Sequence, residues 1–444
     1  MSTFIYSIDL GTAHCRLVVA EQDNAQPIGV KIVHLEEVQS YGVKRGQVYN
    51  PDEVIRTIRS LFANADKKLS KKIGSSKRVY CMNINGLQFK GGYMSTDIDV
   101  SSKQRIDERD IRQIIDLQKS EQSNKKDNYI ISIEPVAYSI DGMPDSSSVI
   151  GVNGDTLRCT SYIITTSQKN ISLLNNCLPT ISLNQVYTTA SAKARVLLPS
   201  SCRNKCVALI DIGAGVINIA VLQSNTTRFE VSIPLGANLI TSDISNELNI
   251  GIKEAEIIKQ NMQSILAQQS SDLSIKFSEE NIVTINPKEL RFIALARVEE
   301  LSAYIESSLN KSNMLPCIEA IYLTGGGALS YGIIDTLKKR LEKNNISLCS
   351  SSFDGYDSKF AASIGMAMLY AKNNPSQEAK ELPFAEEPST TPEQNKEEFK
   401  LTSPEPTTNK QEEKKPNFKT KIFDFTKKLE TFVTGGEEPD DTLN

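Results

Sequence analysis

Three glycine-containing turns, each following an apolar run, hold the residue types in this chain best suited to chemistry. The first lies in Ile5-Tyr-Ser-Ile-Asp9-Leu-Gly11-Thr12-Ala13-His14-Cys-Arg-Leu-Val-Val19. The second lies in Ala208-Leu-Ile-Asp211-Ile-Gly213-Ala214-Gly215-Val-Ile-Asn-Ile-Ala-Val221. Each reads as a strand, an Asp at its end, a turn with glycine and a second strand. That is a β-hairpin whose tip sets a carboxylate beside exposed backbone N–H groups. Glycine lets such a tip approach a phosphate closely and aim N–H donors at it. The Asp before the turn is suited to hold the waters of Mg²⁺, an ion that keeps much of its hydration shell. A single hairpin of this kind says little, because any tight turn favours glycine. Two in matching context, about 200 residues apart, say more. The third turn is Ile321-Tyr-Leu-Thr-Gly325-Gly326-Gly327-Ala-Leu-Ser-Tyr-Gly332, a strand running into glycines and then a helix from Ile333 to Leu341. Such a junction lets a ligand lie flat on the backbone at a helix N-terminus; alone, it is equally a flexible strand–helix turn. Glu256 and Lys259, three apart on a predicted helix, share a face. They read as a solvated ion pair, or in this setting as groups able to reach a ribose.

The elements that must position these residues belong to an α/β protein. Up to Lys372, β-branched runs alternate with helical segments, and the repeated hairpin predicts two similar halves with a cleft between them. The 444 residues are 39% apolar and 23% charged, enough for two or three cored domains. A net charge of −4 offers no basic footprint for nucleic acid. With two histidines, His14 and His34, a His-rich zinc site is excluded. Eight cysteines without CxxC spacing suit reduced thiols, and a metal role for Cys202 and Cys206 lacks further ligands. The N-terminus has no basic region before a long apolar core, and no stretch approaches the roughly 18 apolar residues of a membrane span. The expected location is the cytosol or the cytosolic face of a membrane.

Two phosphate-type hairpins and a triple-glycine turn, in this order, resemble the actin-like ATPase superfamily. The resemblance narrows to the FtsA family of bacterial cell-division proteins. It is carried by Tyr41-Gly-Val-Lys-Arg-Gly-Gln-Val-Tyr-Asn50, Pro234-Leu-Gly-Ala-Asn-Leu-Ile-Thr-Ser-Asp-Ile244, Ala296-Arg297-Val-Glu-Glu300 and Tyr322-Leu-Thr-Gly-Gly-Gly-Ala-Leu329, and it covers residues 1–372. It implies two RNase H-like halves around a nucleotide cleft, ATP and Mg²⁺ as ligands, and self-assembly into filaments. It also implies a role in tethering FtsZ filaments to the cytoplasmic membrane at the division site, with other divisome proteins as partners. The cofactor-binding residues would be Asp9, Gly11, Thr12, Ala13, His14, Asp211, Gly213, Ala214, Gly215, Glu256, Lys259, Gly325, Gly326 and Gly327, with Asp9 and Asp211 holding Mg²⁺ through water. Two departures matter. The family usually has Gly-Gly-Gly-Thr-Thr-Asp at the second hairpin, where this chain has Gly213-Ala-Gly-Val-Ile-Asn218; and His14 stands where the family often has Lys. Nucleotide binding with at most weak hydrolysis is expected, since no residue supplies an obvious base for water.

The family layout places a first half at 1–84 and 165–202, an inserted subdomain at 85–164 and a second half at 203–372. Within the second half, 235–309 would form an outer subdomain, and the last helix would return to the first half. The insertion contains a predicted helix that sets Ile106, Ile111, Ile114, Ile115 and Leu117 near one face, most simply for core packing; the resemblance adds self-assembly and partner contacts. In the family the FtsZ C-terminal peptide docks on the outer subdomain. Arg297 matches an arginine of that region and would pair with the peptide's carboxylates, or else with Glu300 on its own helix.

From Asn373 to Lys415 the chain is rich in Glu, Lys, Pro, Thr and Ser, a composition that predicts a disordered linker. Pattern returns at 416–433, where Phe418, Ile422, Phe425, Leu429, Phe432 and Val433 fall within about a 100° arc flanked by Lys421 and Lys428. Pro416 suits the start of a helix and Gly435-Gly436 its end. Such a helix either docks on the core or a partner, or binds lipid; its tether, aromatic face and edge lysines favour lipid. An acidic tail, 434–444, follows. A pilus-assembly adaptor that binds a membrane protein's peptide, or a small-molecule kinase of the same superfamily, are the alternatives. Neither uses a lysine-rimmed terminal helix.

Overall fold

The strand Thr3–Leu10 is apolar almost throughout because both of its faces are covered. Phe4, Tyr6, Ile8 and Leu10 pack on one side of the sheet, with the long helix Pro51–Ile73. Ile5 packs on the other, with the helices Thr189–Leu197 and Ala361–Asn373. Each large side chain so buried contributes roughly 1.5–3 kcal/mol. Period two then puts Ser7 and Asp9 on the face shared with those two helices. The computed structural model describes residues 2–375 apart from 27, 103–104, 144–145, 147, 179–180, 268–271 and 279–281. The predicted linker beyond Pro375, the amphipathic helix with Phe418, Lys421, Ile422, Phe425, Lys428, Leu429, Phe432 and Val433, and the acidic tail lie outside the described residues.

The first half holds a five-stranded sheet in the order Gln185–Thr188, Lys77–Ile84, Thr3–Leu10, His14–Gln22, Val30–Gln39. The last three are antiparallel neighbours, and the other pairings are parallel. The second half repeats the order with Ile346–Leu348, Ala320–Thr324, Cys206–Ile212, Ile217–Gln223, Thr226–Ile233, and the senses repeat as well. Two RNase H-like sheets of one topology, each opening with a hairpin, make the fold actin-like. The helix Ala361–Asn373 packs back on the strands of the first half and against Thr189–Leu197. Gly365 permits that crossing, since a Cβ there would lie 1.9 Å from the Ala192 carbonyl oxygen.

Inserted within the first half, between its strands Lys77–Ile84 and Gln185–Thr188, is a separate three-stranded antiparallel sheet, ordered Phe89–Asp99, Thr156–Thr166, Tyr129–Ile140, with the helix Glu108–Ser123 on one face. Asp107 caps that helix in a reciprocal capping box with Asp110. Ile106, Ile111, Ile114 and Ile115 belong to its core, with Leu157 and Cys159. Leu117, expected on the same face, is instead 45% exposed. Its 100° steps place it about 60° beyond Ile114, about 120° from Ile111, and away from the sheet.

This insertion docks on the free edge of the second-half sheet. The Thr227 N–H donates to Glu134 Oε2 at 2.7 Å, and the Tyr93 hydroxyl donates to the Arg228 carbonyl at 2.6 Å. The Glu230 N–H donates to the Tyr162 hydroxyl at 2.8 Å. Glu230 itself is buried at this junction, where Ser191 donates to its carboxylate at 2.5 Å. Burial pushes the Glu230 carboxyl up to about 7 from its ordinary 4.5, against the pull of that hydrogen bond. Between these values the folded chain holds a proton that the unfolded chain releases, so this group's contribution falls as pH rises through the window and is flat above it. Glu230→Gln is therefore expected to remove that slope and to raise stability near pH 8 by up to roughly 3 kcal/mol in urea titrations. A less stable variant at that pH would show that the charge is compensated.

Candidate functional site

The two hairpin tips are built alike. The Gly11 N–H donates to the His14 carbonyl at 3.1 Å, and the Gly213 N–H donates to the Val216 carbonyl at 2.8 Å. The tips also touch: a Cβ on Gly215 would lie 2.7 Å from Thr12 Oγ1. The family-like loop 41–50 buttresses them. Its two-residue turn has Arg45 and Gly46 both at positive φ, as a tight hairpin requires, and the Gly46 N–H donates to Thr12 Oγ1 at 3.2 Å. The carbonyls of Gly213 and Ala214 are turned to the start of the helix Asn238–Glu247, accepting from Ala237 and Asn238 at 2.9 and 2.8 Å. Among the described residues, the N–H groups of Thr12, Ala13, Ala214 and Gly215 donate to no protein acceptor. Two opposed turns with unspent donors form an anion cradle.

All fourteen residues proposed from sequence as nucleotide ligands line one cleft of about 1170 Å³. Glu256 and Lys259, on the helix Ile252–Gln260, form the ion pair read from their spacing, at 2.7 Å. Thr241 joins it, donating to Glu256 at 2.5 Å and accepting from Lys259 at 2.8 Å. Burial works against the Glu256 charge, but these donors hold its carboxyl below the ordinary range. Beside the pair, Ile252, Ile257 and Leu329 line the cleft while 53%, 47% and 73% exposed. The triple-glycine turn differs from expectation. It does not open the helix Ile333–Leu341 directly, because a 3₁₀ turn, Gly326–Leu329, intervenes and the helix begins after Gly332 at φ 80°. Gly325, at φ 86°, lies against the Ile212 backbone and the Asp211 carboxylate.

The carboxylates are more engaged than their motifs suggested. Asp9 accepts from Asn83 Nδ2 at 2.7 Å and faces Arg16 at 3.8 Å. Burial pushes its carboxyl up, and neighbouring Asp211 adds to that push while Arg16 and Lys193 oppose it. Asp211 accepts from Lys193 Nζ at 2.7 Å on one oxygen and from Asn218 Nδ2 at 3.3 Å on the other. Every oxygen of the two carboxylates thus faces a protein donor or cation. One oxygen of each carboxylate faces a cation of the chain and the other a neutral amide, so a water-mediated Mg²⁺ at Asp9 or Asp211 would have Arg16 or Lys193 as a neighbouring charge. Sequence reading missed Lys193 as a member of the site. Its signal was a single lysine inside the small-residue helix Thr189–Leu197, TASAKARVL. Asn83, which also donates to Thr189 Oγ1 at 3.0 Å, carried no signal of its own.

Arg297, expected to meet a partner peptide, is committed within the outer part of the second half. It donates to Asp243 at 2.6 and 3.0 Å and to Glu300. Its side chain is only 19% exposed, so contact with a partner through it would require this triad to open.

Comparison with known proteins agrees with this architecture. A family profile described as "Cell division protein FtsA" matches residues 208–365, and one described as "SHS2 domain inserted in FTSA" matches residues 86–165. Together they span more than half of the chain. The chain belongs to the FtsA family. Its relatives in that family include Cell division protein FtsA of Bacillus subtilis, 26% identical over 377 residues, covering 83% of each chain. The FtsA of Neisseria meningitidis serogroup B is 26% identical over 347 residues, covering 76% of this chain and 81% of its own. Among solved structures, a PilM-PilN type IV pilus biogenesis complex is similar in fold at a TM-score of 0.53 and 13% identity, covering 82% of this chain and 98% of that one. FtsA membership places the chain among cell-division proteins.

The geometry of the cleft floor can be tested through Gly325. Gly325→Ala would put a methyl group 2.4 Å from the Ile212 carbonyl oxygen at a φ that favours glycine. It is expected to cost roughly 2–4 kcal/mol in urea unfolding. A change below about 0.5 kcal/mol would mean that the turn can relax.

Proposed function

We propose that this FtsA-family chain binds a nucleotide, of the ATP class, in the cleft between its halves and tethers FtsZ filaments to the cytoplasmic membrane. The observation that carries nucleotide binding is the pair of touching hairpin tips with unspent N–H donors. The aliphatic side chains of Ile252, Ile257 and Leu329 supply an apolar surface for a flat base, next to Glu256 and Lys259 as partners for a ribose. Asp9, Asp211, Glu256 and the nearby Glu37 are each occupied by donors or cations, which supports slow turnover at most.

In this reading the outer part of the second half, 235–309, receives the FtsZ C-terminal peptide, and the chain associates with copies of itself and with other divisome proteins. The segment 416–433 acts as a peripheral membrane helix on the cytoplasmic face at the division site, reached over the linker 373–415. Its lysines add roughly 1 kcal/mol each near an anionic surface. A single helix of this size binds reversibly, and filament formation makes attachment firm through avidity. Among the described residues, no helix is long and apolar enough to cross a membrane.

Co-sedimentation with liposomes tests the tether in both of its halves. FtsZ is expected to pellet with the intact chain and to stay in solution when the chain is cut after Lys415. Replacing Phe425 and Leu429 by Asp should have the effect of the cut. If this protein pellets through its tail while FtsZ stays behind, the partner is not FtsZ, and the pilus-adaptor type of function moves forward. If the variant with both Asp substitutions still pellets, a surface other than this helix holds the chain to lipid.

A further inference from the structure

Lys193 is a cation inside the cleft that no motif assigned. It projects from the helix Thr189–Leu197, its side chain is 12% exposed, and it lines the cleft together with both hairpin tips. An ammonium has three donors. One goes to Asp211 Oδ1 at 2.7 Å, and no other described group accepts from it. Lysine is seldom buried without further partners, because burial penalises its charge. Here two donors remain on a largely desolvated ammonium, one hydrogen bond from the strand end that leads into Gly213, Ala214 and Gly215.

In the first half Arg16, opposite Asp9 across the hairpin where Asn218 stands opposite Asp211, is the cation that faces the carboxylate, at 3.8 Å. The two buried carboxylates are therefore balanced by two cations of the chain itself. A hydrated Mg²⁺ at Asp211 would share a carboxylate whose one oxygen already binds an ammonium, which sets two cations close together on a single negative charge. Asn218, by contrast, supports the arrangement as it stands. Its amide donates to Asp211 and its carbonyl accepts from Ser232 Oγ at 2.6 Å, so the second oxygen of Asp211 is fixed from behind.

We propose that Lys193 takes the place of a divalent cation in this cleft, using its two free donors on the terminal phosphates of a nucleoside di- or triphosphate, so that the nucleotide binds without a metal ion. This rests on the nucleotide reading given above and adds to it the identity of the phosphate's counter-charge. Lys193 stays bonded to Asp211 and presents its remaining N–H groups to the phosphate oxygens beside the backbone donors of Ala214 and Gly215.

The test is calorimetric titration of ATP into the full-length chain, in excess EDTA and again in excess Mg²⁺. The intact protein is expected to bind with affinities within about threefold of each other in the two conditions. Lys193→Met should lose at least about tenfold in EDTA and regain most of it with Mg²⁺, because removing the ammonium frees Asp211 for the ion. Lys193→Arg should keep the metal-independent binding. Binding of the intact chain only in Mg²⁺ would overturn the proposal while leaving the nucleotide reading in place. A Lys193→Met variant with the metal dependence of the intact chain would overturn it too. No ATP binding in either condition would remove the nucleotide reading and this inference with it. Should Lys193→Met fail to fold by circular dichroism, the EDTA-to-Mg²⁺ ratio of the intact chain still decides.

Discussion

Two carboxylates buried at equivalent strand ends are the constraint around which the centre of this molecule is arranged. Asp9 and Asp211 terminate the first strands of two sheets of one topology, and the hairpin tips that follow them meet at Thr12 and Gly215. A pair of like charges brought out of water this way is costly unless each finds a partner. The partners come from different places. Arg16 is supplied by the hairpin of the first half itself, whereas Lys193 reaches Asp211 from a helix outside the second hairpin.

That helix, Thr189–Leu197, is the element that ties the parts together. Thr189 accepts from Asn83, which also holds Asp9; Ser191 donates to Glu230 on the edge strand of the second half; and Arg195 faces Glu134 of the insertion at 3.7 Å. Its small residues serve the same end on the opposite side, where Gly365 of the last helix packs against Ala192. A nine-residue helix thus touches both sheets, the insertion and the cleft. A change in the charge at Asp211 would bear on a segment that also carries contacts to the inserted subdomain. This gives a physical route by which the state of the cleft can reach a surface distant from it.

The sequence was most legible where the backbone does the work. The hairpins around Gly11 and Gly213, the strand before Gly325 and the helix Ile333–Leu341 follow from alternation of apolar residues, turn glycines and helical period, all local quantities. The pair Glu256–Lys259 was readable because a helix fixes the distance between positions three apart. What could not be read was the long-range choice of partner. Nothing near Asp211 in the chain announces Lys193, eighteen residues earlier, and nothing near Arg297 announces Asp243, fifty-four residues away. The intervening Gly326–Leu329 turn was missed for a different reason: three glycines permit many backbone paths, and contact with Ile212 selects among them.

The substitutions that set this cleft apart from the usual FtsA pattern make one consistent set when charge is followed through them. Asn218 stands where the family usually has a carboxylate, and His14 stands where the family often has Lys. A carboxylate at position 218 would sit against Asp211, and the pair would attract a divalent cation as like-charged neighbours do. An amide there donates to Asp211 instead and leaves a single negative charge, which one ammonium suffices to balance. The cation absent from the first tip is thus present on the other wall of the cleft, in Lys193. In the proposed reading, the positive charge offered to a phosphate is fixed to the helix Thr189–Leu197 rather than to a hairpin tip.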